Sequence, residues 1–113
     1  MFEFIKSWFQ AEPVPESIKT EVKSLVDTNN IMVFSKSYCP YCQSTKSLLD
    51  KYSKNYKVVE LDEVDNGSVM QRALQEMTGQ RTVPNVFINK KHIGGNSDLQ
   101  SLQAKGALAS LIK

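Results

Sequence analysis

Residues 31–42 read IMVFSKSYCPYC, and this stretch decides the fold. It begins with four apolar residues, IMVF, a run that is typical of a strand buried on both faces. A polar loop follows, and Pro40 is a residue that the first turn of a helix tolerates well. The stretch therefore predicts a strand, a short loop and a helix that opens with the Cys39-Pro40-Tyr41-Cys42 motif.

Helix and strand signals alternate on both sides of this stretch. Upstream, Ile18, Val22 and Leu25 fall on one helical face, which predicts a helix over residues 15–28. Downstream, apolar runs and turn residues predict the remaining elements. These are a helix from residue 40 to about 52, a strand over 56–61, a helix over 68–78 with Val69, Ala73, Leu74 and Met77 facing inward, strands over 85–88 and 91–93, and helices over 97–105 and 107–113.

This order of elements predicts an α/β fold with a mixed four-stranded sheet. The first two strands and the helix between them should form a right-handed parallel unit. The last two strands meet at Asn89-Lys90 and should form an antiparallel hairpin, although Lys90 is an awkward residue where a turn requires positive φ. We therefore expect helices on both faces of the sheet.

A chain of 113 residues accommodates one domain, which we expect over residues 15–113. Residues 1–14 are interpreted as an N-terminal extension and a proline linker. The extension is rich in aromatic residues, and Pro13 and Pro15 would end any helix within it. We expect it to cover an apolar patch of the domain or to fray. A role in binding a membrane surface or a partner is the alternative.

Charge and hydropathy exclude several classes of partner and location. The net charge of +2, from 14 basic and 12 acidic residues, is too small to indicate nucleic-acid binding. No apolar run approaches the ~18 residues that a membrane span requires. The first residues lack the pattern of a secretory signal, and no Arg precedes Arg72, unlike a mitochondrial presequence. We therefore expect a cytoplasmic protein rather than a mitochondrial one.

The two cysteines lie three positions apart, which indicates redox or metal chemistry rather than a secreted disulfide framework. Structural zinc usually requires four Cys or His ligands, and the sequence adds only His92 to the two cysteines. We therefore expect no metal. At a helix N-terminus, free N–H groups and the helix dipole favour a thiolate at Cys39, and Lys36 adds positive charge.

Cys42 lies one helical turn beyond Cys39, close enough to attack a mixed disulfide formed there. We expect Cys39 to be the exposed thiol. Cys42 should be more buried and should have the higher pKa.

Three blocks of sequence resemble dithiol glutaredoxins, and the chain as a whole is most similar to fungal cytosolic members. They are KSYCPYC at residues 36–42, GQRTVP at 79–84 and GGNSDL at 94–99. The resemblance covers about residues 15–113. It implies a thioredoxin-like fold, glutathione as co-substrate and reductant, and the reduction of protein–glutathione mixed disulfides.

The resemblance also implies residue roles, with Cys39 as nucleophile and Cys42 as resolving cysteine. The implied glutathione-binding residues are Lys36, Tyr41, Gln80, Thr82, Val83, Pro84, Ser97 and Asp98.

The resemblance implies that different residues of this set bind different parts of glutathione. Lys36 and Gln80 would meet the glycine carboxylate, and the Val83 backbone would pair with the cysteine moiety. Ser97 and Asp98 would hold the γ-glutamyl end. Tyr41 would pack beside the glutathionyl sulfur. The Val83–Pro84 bond is expected to be cis, which would turn the Val83 backbone toward Cys39.

Other functions stay open at this point. A thioredoxin-type reductase is disfavoured by Tyr38, because thioredoxins usually carry Trp before the first cysteine. An iron–sulfur carrier would hold a cluster between Cys39 of two subunits and two glutathiones, but Pro40 differs from the small residue of cluster-binding relatives. A pure binding module does not explain Cys42. We expect a monomer whose partners are glutathione and glutathionylated proteins.

Overall fold

A computed structural model of the protein describes residues 13–112. Its elements follow the predicted order. They are α1 (Glu16–Thr28), β1 (Ile31–Ser35), α2 (Pro40–Asp50), β2 (Lys57–Glu60), α3 (Gly67–Thr78), β3 (Asn85–Ile88), β4 (Lys91–Gly94), α4 (Asn96–Ala104) and α5 (Leu108–Ile112). Each predicted element is present, and the bounds move by a few residues at the ends, where helices fray.

The four strands form one sheet in the order β2-β1-β3-β4. Strand β1 pairs with β2 in parallel and with β3 in antiparallel register, and β3 pairs with β4 as a hairpin. The mixed sheet predicted from the sequence is thus confirmed. Its turn residues Asn89 and Lys90 have φ of 52° and 70°, so the lysine does adopt the left-handed conformation.

Side chains of β1 alternate between two hydrophobic clusters, one on each face of the sheet. Met32 and Phe34 join the cluster under α1 and α3, where Phe34 meets Phe87 edge to face at 6.0 Å between ring centroids. Ile31 and Val33 join the cluster under α2, α4 and α5. Packing on both faces explains why the first four residues of β1 are all apolar.

Two details of the sequence interpretation differ from the structure. Met77, expected to face inward, is 43% exposed because it lies in the last turn of α3, where it lines an open groove with Val26 and Phe87. Val14, assigned to the linker, is only 6% exposed and packs into the cluster under α1 and α3. The expectation for residues 1–10 lies outside the described residues.

Candidate active site

Cys39 occupies the N-cap position of α2, and Pro40 is the first residue of that helix. The Cys42 backbone N–H donates to Cys39 Sγ at 3.4 Å, and the Cys39 N–H donates to the Lys36 carbonyl at 3.1 Å. The thiol is partly accessible to solvent. The helix N-terminus therefore presents the Cys42 N–H to the sulfur, an arrangement that stabilises an anion there.

Cys42 lies on the first turn of α2 and is fully buried. Burial raises the pKa of its thiol, an effect opposed by hydrogen bonds from the Ser35 side chain and the Lys36 backbone. Both cysteines are free thiols in this structure. The expected difference in burial between an accessible Cys39 and a buried Cys42 is confirmed.

The loop that leads into Cys39 is held by Asp62, a residue the sequence analysis missed. Ser37 donates its backbone N–H to Asp62 Oδ1 at 2.9 Å and its hydroxyl to Oδ2. Gln43 Nε2 donates to the Ser37 carbonyl at 3.1 Å. The Ser37 hydrogen bonds hold the pKa of the Asp62 carboxyl below its usual value, and the charge of Lys36 contributes least.

Lys36 itself is half-buried in this loop. Within residues 13–112 no carboxylate oxygen lies within 4.0 Å of its ammonium, while five other ion pairs form elsewhere. The Lys36 ammonium therefore forms no close ion pair in the described part of the chain.

The second loop of the site runs from Gln80 to Pro84 and contains a cis bond between Val83 and Pro84, as predicted. The Val83 carbonyl oxygen lies 3.9 Å from Cys39 Sγ. Gln80 Nε2 donates to the Thr82 carbonyl at 3.0 Å and to the Pro84 carbonyl at 2.9 Å. Gln80 thus fixes the shape of this loop, a role that the sequence did not indicate. Its contact with a ligand carboxylate stays a prediction.

The third part of the site is the N-terminus of α4. Asp98 accepts a hydrogen bond from the Gly95 backbone N–H at 3.0 Å. Gly94 has φ of +122°, and a Cβ there would lie 2.3 Å from Asp98 Oδ2. Glycine at this position therefore lets the chain turn beneath the carboxylate. Ser97 lies exposed in the first turn of the same helix.

These parts enclose a groove of about 460 Å³. It is lined by Tyr41, Thr82, Val83, Pro84, Gly95, Asn96 and Ser97.

Five of the predicted glutathione-binding residues line this groove. Gln80 and Asp98 support the loops that form it, and Lys36 stands in the loop that precedes Cys39. Asn96 was missed, although its place inside the GGNSDL block was a signal that could have found it. The structure thus brings the blocks containing Cys39, Val83 and Ser97 together around one groove.

Among residues 13–112, the helices lack the combination of length and apolar character that a membrane span requires. The same part of the chain contains no group of three or more His, Cys, Asp or Glu side chains arranged to hold a metal ion. His92, the other residue weighed as a zinc ligand, contacts Asn85 Oδ1 at 2.9 Å through Nε2 and packs against Phe87. Burial lowers the pKa of its imidazole.

Comparison with known proteins agrees with this geometry. The glutaredoxin family model matches residues 31–93. A glutaredoxin of Ricinus communis is 55% identical over 82% of this chain and 91% of its own length. Glutaredoxin-2 of Schizosaccharomyces pombe is 47% identical over 83% of this chain and 86% of its own length.

Solved structures show the same relationship. A buckwheat glutaredoxin–glutathione complex superposes with a TM-score of 0.86 at 40% identity, covering 91% of this chain and 94% of that one. The holo form of glutaredoxin C1 from Populus tremula x tremuloides has a TM-score of 0.82 at 43% identity, covering 85% of this chain and 95% of that one. The chain therefore belongs to the glutaredoxin family of glutathione-dependent thiol–disulfide oxidoreductases.

Proposed function

We propose that this protein reduces protein–glutathione mixed disulfides and low-molecular-weight disulfides through a Cys39 thiolate, with glutathione as the reductant. The observation that carries the proposal is the position of Cys39 Sγ at the N-terminus of α2, 3.9 Å from the Val83 carbonyl. The buckwheat relative in complex with glutathione supports glutathione as the ligand of the adjacent groove.

The proposed first step is attack of the Cys39 thiolate on the glutathionyl sulfur of the substrate. The substrate disulfide breaks, and the protein leaves as a thiolate that takes a proton from water. A disulfide now joins Cys39 to glutathione. The thiolate of a second glutathione attacks the glutathionyl sulfur of that disulfide. Oxidised glutathione leaves, and the Cys39 thiolate is regenerated.

Cys42 offers a second route when the target carries a disulfide between two of its own cysteines. Attack by Cys39 then forms a mixed disulfide with the target. Cys42 gives its proton to water and attacks the Cys39 sulfur. The bond between Cys39 and the target breaks, and the target leaves as a thiolate that takes up a proton, so both of its thiols are reduced. Two glutathiones reduce the resulting Cys39–Cys42 disulfide. The buried position of Cys42 supports this order, since its pKa is raised and bulky substrates cannot reach it first.

The groove supports an extended, charged tripeptide. The Lys36 ammonium suits the glycine carboxylate, because charge-assisted hydrogen bonds are the stronger ones. The Val83 backbone offers an edge for the middle of the tripeptide. The N-terminus of α4 suits the α-carboxylate of the γ-glutamyl end, and Asp98 suits its ammonium group. Tyr41, 68% exposed beside the groove, would pack against the glutathionyl sulfur.

The test is turnover of a glutathionylated peptide coupled to glutathione reductase and NADPH. Wild-type protein should turn over, and Cys39→Ser should abolish the activity. Ser47→Ala, an exposed change on the same helix, should leave it unaltered. No turnover by the wild type would overturn the proposal. Activity with thioredoxin reductase, or cluster absorbance in freshly purified protein, would then identify a thioredoxin-type reductase or an iron–sulfur carrier.

We also propose a cytoplasmic location. One closely spaced cysteine pair in place of a disulfide framework supports a reducing compartment. Fluorescence microscopy of the full chain tagged at its C-terminus should show cytosolic signal. Coincidence with a mitochondrial marker would contradict this.

A further inference from the structure

Helix α2, on which Cys42 lies, is joined to the first turn of α4 by a part-buried hydrogen bond. Thr45 lies on α2, three residues after Cys42, and is fully buried. Its hydroxyl donates to Asn96 Oδ1 at 2.9 Å. The hydrogen bond connects residues that are 51 positions apart in the chain. It therefore links the helix of the nucleophile to the end of the groove where Ser97 lies.

A second donor fixes the same oxygen. Gln100 Nε2 donates to Asn96 Oδ1 at 3.3 Å and to Ser44 Oγ at 3.2 Å. Turning the Asn96 amide alone would place its NH₂ group against the NH₂ group of Gln100. In the arrangement of this structure, the Thr45 and Gln100 contacts thus hold the Asn96 oxygen toward α2 and Gln100.

With its oxygen held by two donors, the Asn96 amide turns its nitrogen away from them. Asn96 lines the groove beside Ser97. Within residues 13–112, Asn96 Nδ2 has no hydrogen-bond partner and is not fully buried. Two N–H donors are therefore available to an acceptor on a ligand.

We propose that Thr45 is a positioning residue that, through Asn96, sets recognition of the γ-glutamyl end of the substrate. Asn96 Nδ2 donates to a carboxylate oxygen of that group, and the Thr45 hydroxyl keeps Nδ2 aimed into the groove. The inference rests on the proposed glutathione-dependent function. It adds a side-chain determinant of substrate choice, supported from the helix that carries the nucleophile.

The test compares two substrates that differ only at this end. One is a glutathionylated peptide, and the other is the same peptide in a mixed disulfide with cysteinylglycine, which lacks the γ-glutamyl group. Thr45→Val replaces the hydroxyl with a methyl group of similar size. It should raise KM for the glutathionylated peptide about three- to tenfold, the effect of one hydrogen bond, with kcat little changed. KM for the cysteinylglycine substrate should not move.

Three further variants separate positioning from folding. Thr45→Ser retains the hydroxyl and should restore a near wild-type KM. Asn96→Asp retains the oxygen that Thr45 contacts but replaces the donor by a carboxylate, so it should raise KM for the glutathionylated peptide more than Thr45→Val does. In an Asn96→Ala background, Thr45→Val should have no additional effect, because the two residues act as one unit.

The outcomes distinguish this inference from the proposed function. Equal effects of Thr45→Val on both substrates, or additive effects of Thr45→Val and Asn96→Ala, would overturn the inference while leaving the enzyme glutathione-dependent. Failure of the wild type to use the glutathionylated peptide would instead overturn the proposed function and the inference with it. The melting temperature of each variant, measured alongside, shows whether it is folded.

Discussion

At the scale of single residues, the two cysteines carry the same thiol group and differ in their surroundings. Cys39 is partly accessible at a helix N-terminus and is contacted by a backbone N–H. Cys42 is fully buried, and desolvation raises the pKa of its thiol. One thiol is therefore prepared to attack external substrates, and the other is prepared to act only on its neighbour.

This difference predicts the behaviour of Cys42→Ser. The variant should keep much of the activity on glutathionylated peptides, because free glutathione can attack the Cys39–glutathione disulfide directly. It should lose the reduction of disulfides formed within a target protein. The coupled assay with both substrates measures the two activities. Complete loss on the glutathionylated peptide would contradict the monothiol route.

Asp62 is the second residue with a defined expectation. Its hydrogen bonds from Ser37 give it a pKa in the folded protein below its unfolded value. The stabilisation from such a group is fully present above the unfolded value of about 3.9 and is lost as pH falls through the folded pKa. Asp62→Asn should therefore lower the melting temperature at pH 7, and the difference from wild type should shrink as the pH is lowered toward 3.

The matched control for this change is Glu63→Gln, which removes a neighbouring exposed carboxylate that makes no side-chain hydrogen bond in the described structure. It should alter the melting temperature little at either pH. A constant difference between Asp62→Asn and wild type from pH 7 to pH 3 would show that the charge of Asp62 does not hold the loop.

At the scale of elements, the β3–β4 hairpin contains the two non-glycine residues of residues 13–112 that have positive φ. Asn89 tolerates positive φ, and its side chain donates to the Leu111 carbonyl at 2.7 Å. Lys90 has φ of 70°, and its side chain makes no hydrogen bond or ion pair within the described part of the chain. A left-handed conformation costs a residue with a Cβ about 1–2 kcal/mol, part of which glycine avoids.

Lys90→Gly should therefore stabilise the protein by about 0.5 kcal/mol, after the greater chain entropy of glycine in the unfolded state is subtracted. Lys91→Gly removes the same charge from the adjacent strand residue and should destabilise the protein. Urea denaturation of both variants measures the two effects. A loss of stability in Lys90→Gly would show that the lysine side chain contributes more than its backbone conformation costs.

The elements also show what the sequence can predict. Local patterns determine the apolar run of β1, the amphipathic face of α1 and the Asn89-Lys90 turn. The order of elements along the chain and the mixed sheet were therefore predicted, whereas the spatial order of the strands was not. The cysteine site was predicted for the same reason, because strand, loop and helix are contiguous there. The remaining site residues were predicted from the resemblance, and most of them line one groove in the structure.

Contacts between distant residues were beyond prediction. Asp62 holds Ser37 across 25 positions, and no local pattern at either residue indicates the other. The resemblance placed Gln80 near the ligand. Only the folded loop shows that its side-chain amide donates hydrogen bonds to two backbone carbonyls. The spacing of Met77 places it on the inward face of α3. Its side chain nevertheless stays partly exposed, because it lies in the last turn of the helix and no described element covers it fully.

At the scale of the whole molecule, apolar side chains are largely confined to the two clusters that flank the sheet. In residues 13–112 the large exposed hydrophobic side chains are Tyr38, Tyr41, Tyr52, Val64 and Met77. Two of them flank Cys39, where a substrate would cover them. The remainder do not point to a large interface between copies of the chain.

We therefore expect a monomer of 12.8 kDa. Size-exclusion chromatography with light scattering should give this mass for the freshly purified full chain, with no visible absorbance. A dimer whose visible absorbance disappears together with the dimeric mass would favour the iron–sulfur carrier instead. A colourless dimer would contradict the monomer without supporting a cluster.

The full burial of Cys42 has a practical consequence for finding the natural substrates. Because covalent partners can attach only at Cys39, every adduct forms at one known point of the molecule. Without Cys42, and with free glutathione removed, the second half of the exchange has no attacking thiol. The Cys42→Ser protein would then act as bait for clients with internal disulfides and would remain joined to each one it attacks, whereas a glutathionylated client would be released and leave glutathione on Cys39. Mass spectrometry of the captured complexes would identify both the client and the cysteine through which it was caught.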